Sequence, residues 1–500
     1  MHGLIFNVNT DKQRNAGGHR IATILRQNSW DVEVLDFVYH IALDKLKEFV
    51  RQRYSSDTEF FAFGTFFSQW SNELNLFTKW LKQQYPHIPI IIGGQSVNLT
   101  PAENIDYWID SYAENSILAL LSNICNRSSG PSIKYDKSYT DRKVITSVRD
   151  YPAYPMESYA KKYEKRDYLN EHEWLATEFG RGCKFKCAFC NFPILGVKGD
   201  HTRTQKDFEE EIKRNYYEWG IKHYYTSDET FNDRPEKIRK FAEVVDSKID
   251  FSPYFTAFNR ADLLISHPES WQDLKTLGMY AHFFGIETFS HAAGKNIGKG
   301  MHPDRLKEGL LDFKKFMNDR PFRGTIALII GLPKETHKSL DETKEWLRKN
   351  WHDHSFTSYY LNVDQRQQIT NTSNIAINPE KYGISRMNSE EFREIAKQRG
   401  IENHEGALKE LYPLEKNYLW QHNEMNIIDA IEKSSEFNKF KDTNKMPMEV
   451  WTLDYLTFVE RTSIDRSTRW HENFNQIVGE WEAKKQDFID AYIDKKLGYR

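Results

Sequence analysis

Cys183, Cys187 and Cys190 lie within eight residues, in the stretch Gly180-Arg-Gly-Cys183-Lys-Phe-Lys-Cys187-Ala-Phe-Cys190-Asn-Phe-Pro193. The 500-residue chain has only four cysteines, so a C-x3-C-x2-C loop holding three of them is not a chance grouping. Thiolates this close can converge on one metal centre, and as soft ligands they suit zinc or an iron–sulfur cluster. Clusters are ordinarily held by four cysteines, so three leave one iron open to a further ligand. The competing reading is a closed four-ligand zinc knot with His201 as the fourth ligand. No second C-x2-C or H-x3-H follows, which disfavours zinc. Disulfide pairing is weaker still, because three cysteines cannot pair and nothing marks the chain as secreted.

The length implies two or three domains. Apolar residues make up 39% and charged residues 28%, an ordinary globular balance. A net charge of −3 offers no electrostatic reason to bind nucleic acid. The apolar runs Ile88–Ile92 and Ile326–Leu332 are too short to span a bilayer. The start, Met1-His-Gly-Leu-Ile-Phe-Asn-Val8, has no charged n-region and no long apolar region, so no signal peptide is visible. A cytoplasmic protein is expected, and no membrane partner.

Positioning such a loop takes alternating strands and helices. Over residues 1–130 strand-like runs at Leu4–Val8, Val32–Leu35, Phe60–Gly64 and Ile88–Gly94 alternate with helical patterns, predicting a Rossmann-like parallel sheet covered on both faces. His19 reads as a helix-start residue and Cys125 as a core cysteine near a helix end. Residues 131–170 read as a linker, rich in turn signals and proline, with the charged run Lys161–Asp167 as a solvated face. From Trp174 the alternation resumes, with strands expected at 174–177, 222–226, 252–257, 280–285, 324–330 and 356–363. Six such units over 171–370 predict a partial (β/α)6, TIM-like barrel. Barrel active sites lie at the carboxyl ends of strands. The cysteine loop, Asp228 with Glu229, Arg260, Glu287, Gly331, and Asn362 with Asp364 all fall there. Residues 371–500 leave this pattern and predict a mostly helical cap, with amphipathic helices at Glu390–Arg399, Met448–Arg461 and Phe474–Leu497.

The C-x3-C-x2-C loop, with Phe189 before its third cysteine, resembles the radical S-adenosylmethionine (SAM) superfamily. The first domain is similar to the cobalamin-binding-type domain that precedes many such barrels, through Gly18-His19-Arg20-Ile21-Ala22 and the strand-ending Gly93-Gly94. Two features depart from that pattern. The histidine-ligand motif D-x-H-x-x-G is absent after the first strand, and the usual G-x-G-E appears only as Ser111-Tyr-Ala-Glu114. The resemblance implies a 4Fe-4S cluster on the three cysteines, with SAM chelating the open iron and Phe189 touching its adenine region. It implies that Ser227, Asp228 and Glu229 receive the SAM amino group. Glu287, in Gly285-Ile-Glu287-Thr288, would accept from the ribose hydroxyls. Arg260 would pair with the methionyl carboxylate, or merely bridge to Asp262. Gly331, in Gly331-Leu-Pro333-Lys-Glu335-Thr336, would let the backbone approach adenine, beside an apolar wall of Ile329 and Ile330. Lys299-Gly300 resembles a further family segment without an evident mechanism.

The implied chemistry is one-electron reduction of SAM at the cluster, giving methionine and a 5′-deoxyadenosyl radical that attacks an unactivated carbon. Cobalamin held near Gly93 and Gly94 would make the chain a C-methyltransferase. Without cobalamin the same barrel would perform oxidation, rearrangement or cyclisation, and a zinc-stabilised binding protein is the non-enzymatic alternative. The expected partners are a small-molecule or peptide substrate and an electron donor such as flavodoxin or ferredoxin. No ferredoxin-like cysteine set for auxiliary clusters appears.

Overall fold

The structure is a computed structural model that describes residues 1–65, 70–94, 100–125, 133–146, 159–190, 201–319, 322–363, 373–400, 414, 418–444, 446 and 474–498. The first domain contains β1 (His2–Val8), α1 (Ala16–Gln27), β2 (Asp31–Leu35), α2 (Leu43–Arg53), β3 (Thr58–Thr65), α3 (Asn72–Gln84), β4 (Ile90–Gly94), β5 (Tyr107–Asp110), α4 (Glu114–Ile124) and β6 (Val144–Thr146). Its strands are near-continuous apolar runs because both faces are covered, as in parallel sheets flanked by helices. The sheet is parallel throughout, in the order β2-β1-β3-β4-β5-β6. The order reverses between β1 and β3, and in such sheets ligands bind outside the carboxyl ends near that switch point.

The second domain contains β7 (Trp174–Thr177), the short antiparallel pair β8 (Gly180–Arg181) and β9 (His201–Thr202), α5 (Gln205–Trp219), β10 (His223–Thr226), α6 (Pro235–Lys248), β11 (Tyr254–Arg260), α7 (Ala261–Ser266), α8 (Trp271–Leu277), β12 (Met279–Glu287), α9 (His291–Asn296), α10 (Pro303–Phe316), β13 (Arg323–Ile330), α11 (His337–Asn350) and β14 (Ser355–Tyr360). The main sheet runs β7-β10-β11-β12-β13-β14, parallel and in chain order. Parallel strands in chain order need crossover connections, which here run through the intervening helices. Among the described residues β7 and β14 do not pair with each other, so the barrel is partial and open. Gly278 ends α8 in the left-handed conformation (φ 89°), where a glycine carries no Cβ penalty.

Three expectations are corrected. Residues 131–170 are not merely a linker. Val144 and Ile145 are buried in β6, which pairs with β5, and a three-residue strand is too short to register as periodicity. The run Lys161–Asp167 is not a solvated face. Lys161 pairs with Glu211 of α5 at 3.1 Å, and buried Asp167 pairs with Arg26 of α1 at 3.3 Å, so these charges sit in the seam between the domains. Residues 371–500 are not one cap. After α12 (Asn374–Ile377) and α13 (Ser389–Gln398), α14 (Ile427–Thr443) covers β14, with Phe437 edge-on to Phe356 and Ser434 bonded to Ser358. Then α15 (Phe474–Leu497) returns to the first domain, where Ile489, Tyr492, Ile493 and Leu497 join the core around Phe37 and Phe49. The helix expected at Met448–Arg461 lies outside the described residues.

A buried polar hub ties these parts together at the end of β2. Asp36 accepts from Arg14, from Asn7 Nδ2 at 2.8 Å and from His19 Nε2 at 2.9 Å. Arg14 also grips Glu173, at the start of the barrel, at 2.6 and 3.1 Å. The Tyr492 hydroxyl oxygen of α15 accepts the Asp36 N–H at 2.9 Å, and Lys496 reaches Glu33 at 3.1 Å. Burial alone would raise the Asp36 carboxyl, but His19 and Arg14 outweigh it and hold the group below the usual carboxylate range. His19 is therefore a structural residue inside α1. Gly18 is needed because a Cβ there would strike the Asn7 side chain at 1.9 Å. Removing one partner of a buried pair leaves the other uncompensated. Arg14→Met should cost about 3–5 kcal/mol in urea denaturation and loosen first domain and barrel together, whereas Lys45→Met at an exposed pair should cost about 0–1 kcal/mol.

Candidate active site

The cysteine loop leaves the carboxyl end of β7, and its two ends are pinned together by the β8–β9 pair, Gly180 against Thr202 and Arg181 against His201. Gly182 takes a positive φ of 82° as the chain turns into the loop. Cys183 Sγ lies 3.4 Å from Thr230 Oγ1, and Cys187 Sγ accepts from Arg260 Nη1 at 3.2 Å. Cys190 N–H donates to Cys187 O at 3.1 Å. Ala188 is stitched to the flanking loops, donating to Ile297 O at 3.0 Å and accepting from Ile375 N–H at 2.9 Å. Phe189 packs half-buried against the barrel core. Among the described residues no three His, Cys, Asp or Glu side chains form a group that holds a single metal ion. His201, the fourth zinc ligand of the competing reading, instead stands in the pair that closes the loop's base.

The acids after β10 are engaged inside the protein. The Ser227 hydroxyl donates to Thr177 O at 3.2 Å. Asp228 accepts Phe179 N–H at 2.9 Å and meets Lys237 Nζ at 3.3 Å. Burial raises its carboxyl to about 6 against the pull of Lys237. Glu229 accepts the Tyr112 hydroxyl on one oxygen at 2.6 Å and Gly182 N–H on the other at 3.0 Å. Burial pushes this carboxyl up as well. Tyr112 belongs to the first domain, just past β5, so Glu229 joins that domain to the residue before Cys183. Arg181 makes the second join. It pairs with Glu114 at the start of α4 and with Glu178 at 2.6 Å, and it lies over the Tyr112 and Tyr159 rings, 4.1 Å from each centroid. Glu114 is the acid of Ser111-Tyr-Ala-Glu114. Ser111 holds a φ of 74°, the left-handed region that explains a glycine in the usual motif. The carboxyl ends of the two sheets therefore face one another across these two joins.

At β11, Arg260 bridges to Asp262 at 2.6 and 3.1 Å, the second of the two roles expected for it, and also reaches Cys187. At β12, Glu287 takes a φ of 66° and is held by Lys299 at 2.6 Å; Lys299 also binds Gly285 O. This supplies the mechanism missing for Lys299-Gly300. At β13, Gly331 has a φ of 89°, and a Cβ there would meet Trp420 at 2.5 Å and Ala430 at 2.7 Å. Its glycine is required by this internal packing, whether or not adenine lies nearby. Ile330 is sunk in the barrel core while Ile329 is half-buried. Glu335 accepts the Thr288 hydroxyl at 2.5 Å and Gly331 N–H at 3.0 Å, tying the ends of β12 and β13 together. Burial raises its carboxyl to about 7. Asn362 lies two residues past β14, and Asp364 lies outside the described residues.

In the first domain, a Cβ on Gly94 would strike Thr65 O at 2.3 Å, so Gly94 is required by strand packing. Gly93 differs: among the described residues a Cβ there would meet only Ile109 O, at 3.8 Å, an ordinary contact distance. The loops that follow β3 and β4, residues 66–69 and 95–99, lie outside the described residues. Three soft thiols on one pinned loop are the donor set that a 4Fe-4S cluster with one open iron takes. Sequence reasoning passed over Tyr112, Arg181 and Lys237. Only the Arg in Gly-Arg-Gly-Cys183 and the acid at 114 hinted at the joins.

Residues 177–347 match the family model of the radical SAM superfamily. An uncharacterized methyltransferase, PH0819, of Pyrococcus horikoshii is 28% identical over 170 residues. That match covers 34% of this chain and 35% of the relative, so the chain spans about a third of the length of the curated relative it matches. The fold is similar to that of the radical SAM methyltransferase TsrM from Kitasatospora setae with cobalamin and a 4Fe-4S cluster bound, with a TM-score of 0.67 and 13% identity over 96% of this chain and 99% of that one. It is also similar to the cobalamin-dependent SAM radical enzyme OxsB with aqua-cobalamin and SAM bound, with a TM-score of 0.59 and 12% identity over 97% of this chain and 71% of that one. At these identities the likeness is one of fold.

Two substitutions test the geometry. Gly331→Ala must take up a left-handed conformation and displace Trp420, at a cost of about 2–4 kcal/mol in thermal or urea denaturation. Glu335 keeps its proton up to about pH 7 when folded, above its ordinary value. Between those two values the folded state binds more protons than the unfolded, so stability falls as pH rises through that window. Glu335→Gln should flatten the slope, removing about 3 kcal/mol of pH-dependent loss in urea denaturation measured across the window.

Proposed function

We propose, for a chain whose residues 177–347 form a radical SAM domain, that it is a cobalamin-dependent radical SAM methyltransferase acting on an unactivated carbon of a small molecule or peptide. One observation carries this reading: the carboxyl end of the first sheet is held against the mouth of the barrel through Tyr112–Glu229–Gly182 and Glu114–Arg181. A cofactor cradled at Gly93 and Gly94 would then face the cysteine loop with the substrate between them.

When bound, the cluster and SAM supply the one-electron chemistry that makes a carbon radical, and cobalamin supplies the methyl group. The residues of the chain bind, orient and exclude water. Cys183, Cys187 and Cys190 would hold the cluster, with Phe189 against its adenine-side ligand. Ser227, Asp228, Glu229, Arg260, Glu287, Ile330 and Gly331, at or just past the strand ends, would surround it. Asp228 and Glu229 act chiefly by fixing the loop, through Phe179 N–H and Gly182 N–H. The electron would come from a low-potential donor such as flavodoxin or ferredoxin. Among the described residues no helix is long and apolar enough to cross a membrane.

The second reading, a radical SAM enzyme without cobalamin, is favoured by Gly94, whose glycine the Thr65 contact already explains. Anaerobic reconstitution with iron, sulfide and hydroxocobalamin, followed by gel filtration, separates the two. Iron, sulfide and cobalt are all expected to co-elute with the chain. Replacing any of the three loop cysteines by Ala should abolish iron and sulfide binding while cobalt remains. Iron and sulfide without cobalt would leave the cobalamin-independent reading, and zinc alone would overturn both.

A further inference from the structure

Arg260, at the end of β11, is held from several sides at the mouth of the barrel. Its main chain is fixed twice by Asn232, whose Oδ1 accepts Arg260 N–H at 2.8 Å and whose Nδ2 donates to Arg260 O at 2.9 Å. Its Nε and Nη2 form a fork on the Asp262 carboxylate at 3.1 and 2.6 Å. The guanidinium plane lies over Phe185 with its carbon 3.9 Å from the ring centroid, and Phe185 is part of the cysteine loop. Nη1 is left aimed at Cys187 Sγ, 3.2 Å away, and Cys187 is the most buried of the three loop cysteines. A planar, permanently charged fork is suited to such a three-way hold, which a lysine could not reproduce. With one edge taken by Asp262 and Nη1 turned to sulfur, the side chain is set toward the thiolate rather than toward an incoming carboxylate.

We infer that Arg260 is a positioning residue that raises the reduction potential of the cluster by donating an N–H to the Cys187 sulfur. The inference rests on the radical SAM reading of the loop. Reduction adds one electron and therefore one negative charge to the cluster–thiolate unit. An N–H donor and a cation beside one sulfur stabilise the reduced form more than the oxidised form. The effect is larger in a buried, low-dielectric setting than in water. No proton moves, because the guanidinium stays charged throughout. Asp262 offsets part of the positive charge, and its main effect is to hold the direction of Nη1.

The test is an electron-paramagnetic-resonance redox titration of the anaerobically reconstituted full chain against Arg260→Met, which keeps the apolar stem and removes the donor and the charge. Iron and sulfide content should be unchanged. At a given poise the ratio of reduced to oxidised cluster should fall about tenfold, ~59 mV for a one-electron couple. SAM binding, read by equilibrium dialysis, should persist. Arg260→Gln, which keeps a neutral donor, should fall between the two and carries the test if the Met variant assembles no cluster. A variant with full iron and sulfide and the original midpoint overturns the inference. So does loss of SAM binding at an unchanged midpoint, which would make Arg260 a carboxylate partner instead. A wild-type chain that takes up no iron and sulfide would overturn the radical SAM reading itself, a result distinct from either.

Discussion

Two carboxylates reaching from one sheet to the other, Glu114 buried and Glu229 partly so, set the geometry of the barrel mouth. Glu229 takes a hydroxyl from the first domain and a main-chain N–H from the cysteine loop, and Glu114 takes the guanidinium of Arg181. The Tyr112–Glu229 and Glu114–Arg181 contacts each join a residue at the carboxyl end of one parallel sheet to a residue at the carboxyl end of the other. Cofactor crevices of parallel α/β sheets open at that end, as do barrel active sites. The two joins therefore bring together two sheet ends that a looser pairing of the same domains would leave apart. They also sit two residues or fewer from Cys183, so the position of the thiols and the position of the first domain are one structural variable.

A second polar assembly holds the domains behind the mouth. Asp36 gathers Arg14, His19 and Asn7, and through Arg14 and Tyr492 it reaches both the start of the barrel and the C-terminal helix. Buried ion pairs contribute little net stability over an apolar core of equal volume, because desolvation offsets most of the attraction. They do make misdocking costly, since any displaced partner would stay charged and uncompensated. The arrangement suits two domains whose relative placement matters more than their individual stability.

Motifs that look separate along the chain act as pairs in space. Thr288, after β12, and Gly331, after β13, are joined by Glu335, and Lys299 closes the β12 end by holding Gly285 O and Glu287. Gly331 has a packing reason in Trp420 and Ala430, and Gly94 has one in Thr65. A glycine beside an expected cofactor is thus not by itself a cofactor contact. Gly93, where a Cβ would meet no clash among the described residues, has no such packing reason.

The order and spacing of apolar runs determined the α/β class, the alternation of both sheets and the placing of polar residues at strand ends. This follows because burial on both faces of a parallel strand forces a continuous apolar run. The cysteine spacing marked the loop as a candidate soft-metal centre, because thiols three and four residues apart on one loop can converge on a single site. Only the tertiary structure decided the rest. It took Lys161 and Asp167 out of water, made a strand of Val144–Thr146 and sent the last helix back to the first domain. It also turned Asp228, Glu229 and Arg260 toward Phe179, Tyr112 and Cys187. Each of these depends on partners from 36 to more than 400 residues away, and a charged side chain carries no local mark of whether its partner is water, a ligand or a distant part of its own chain.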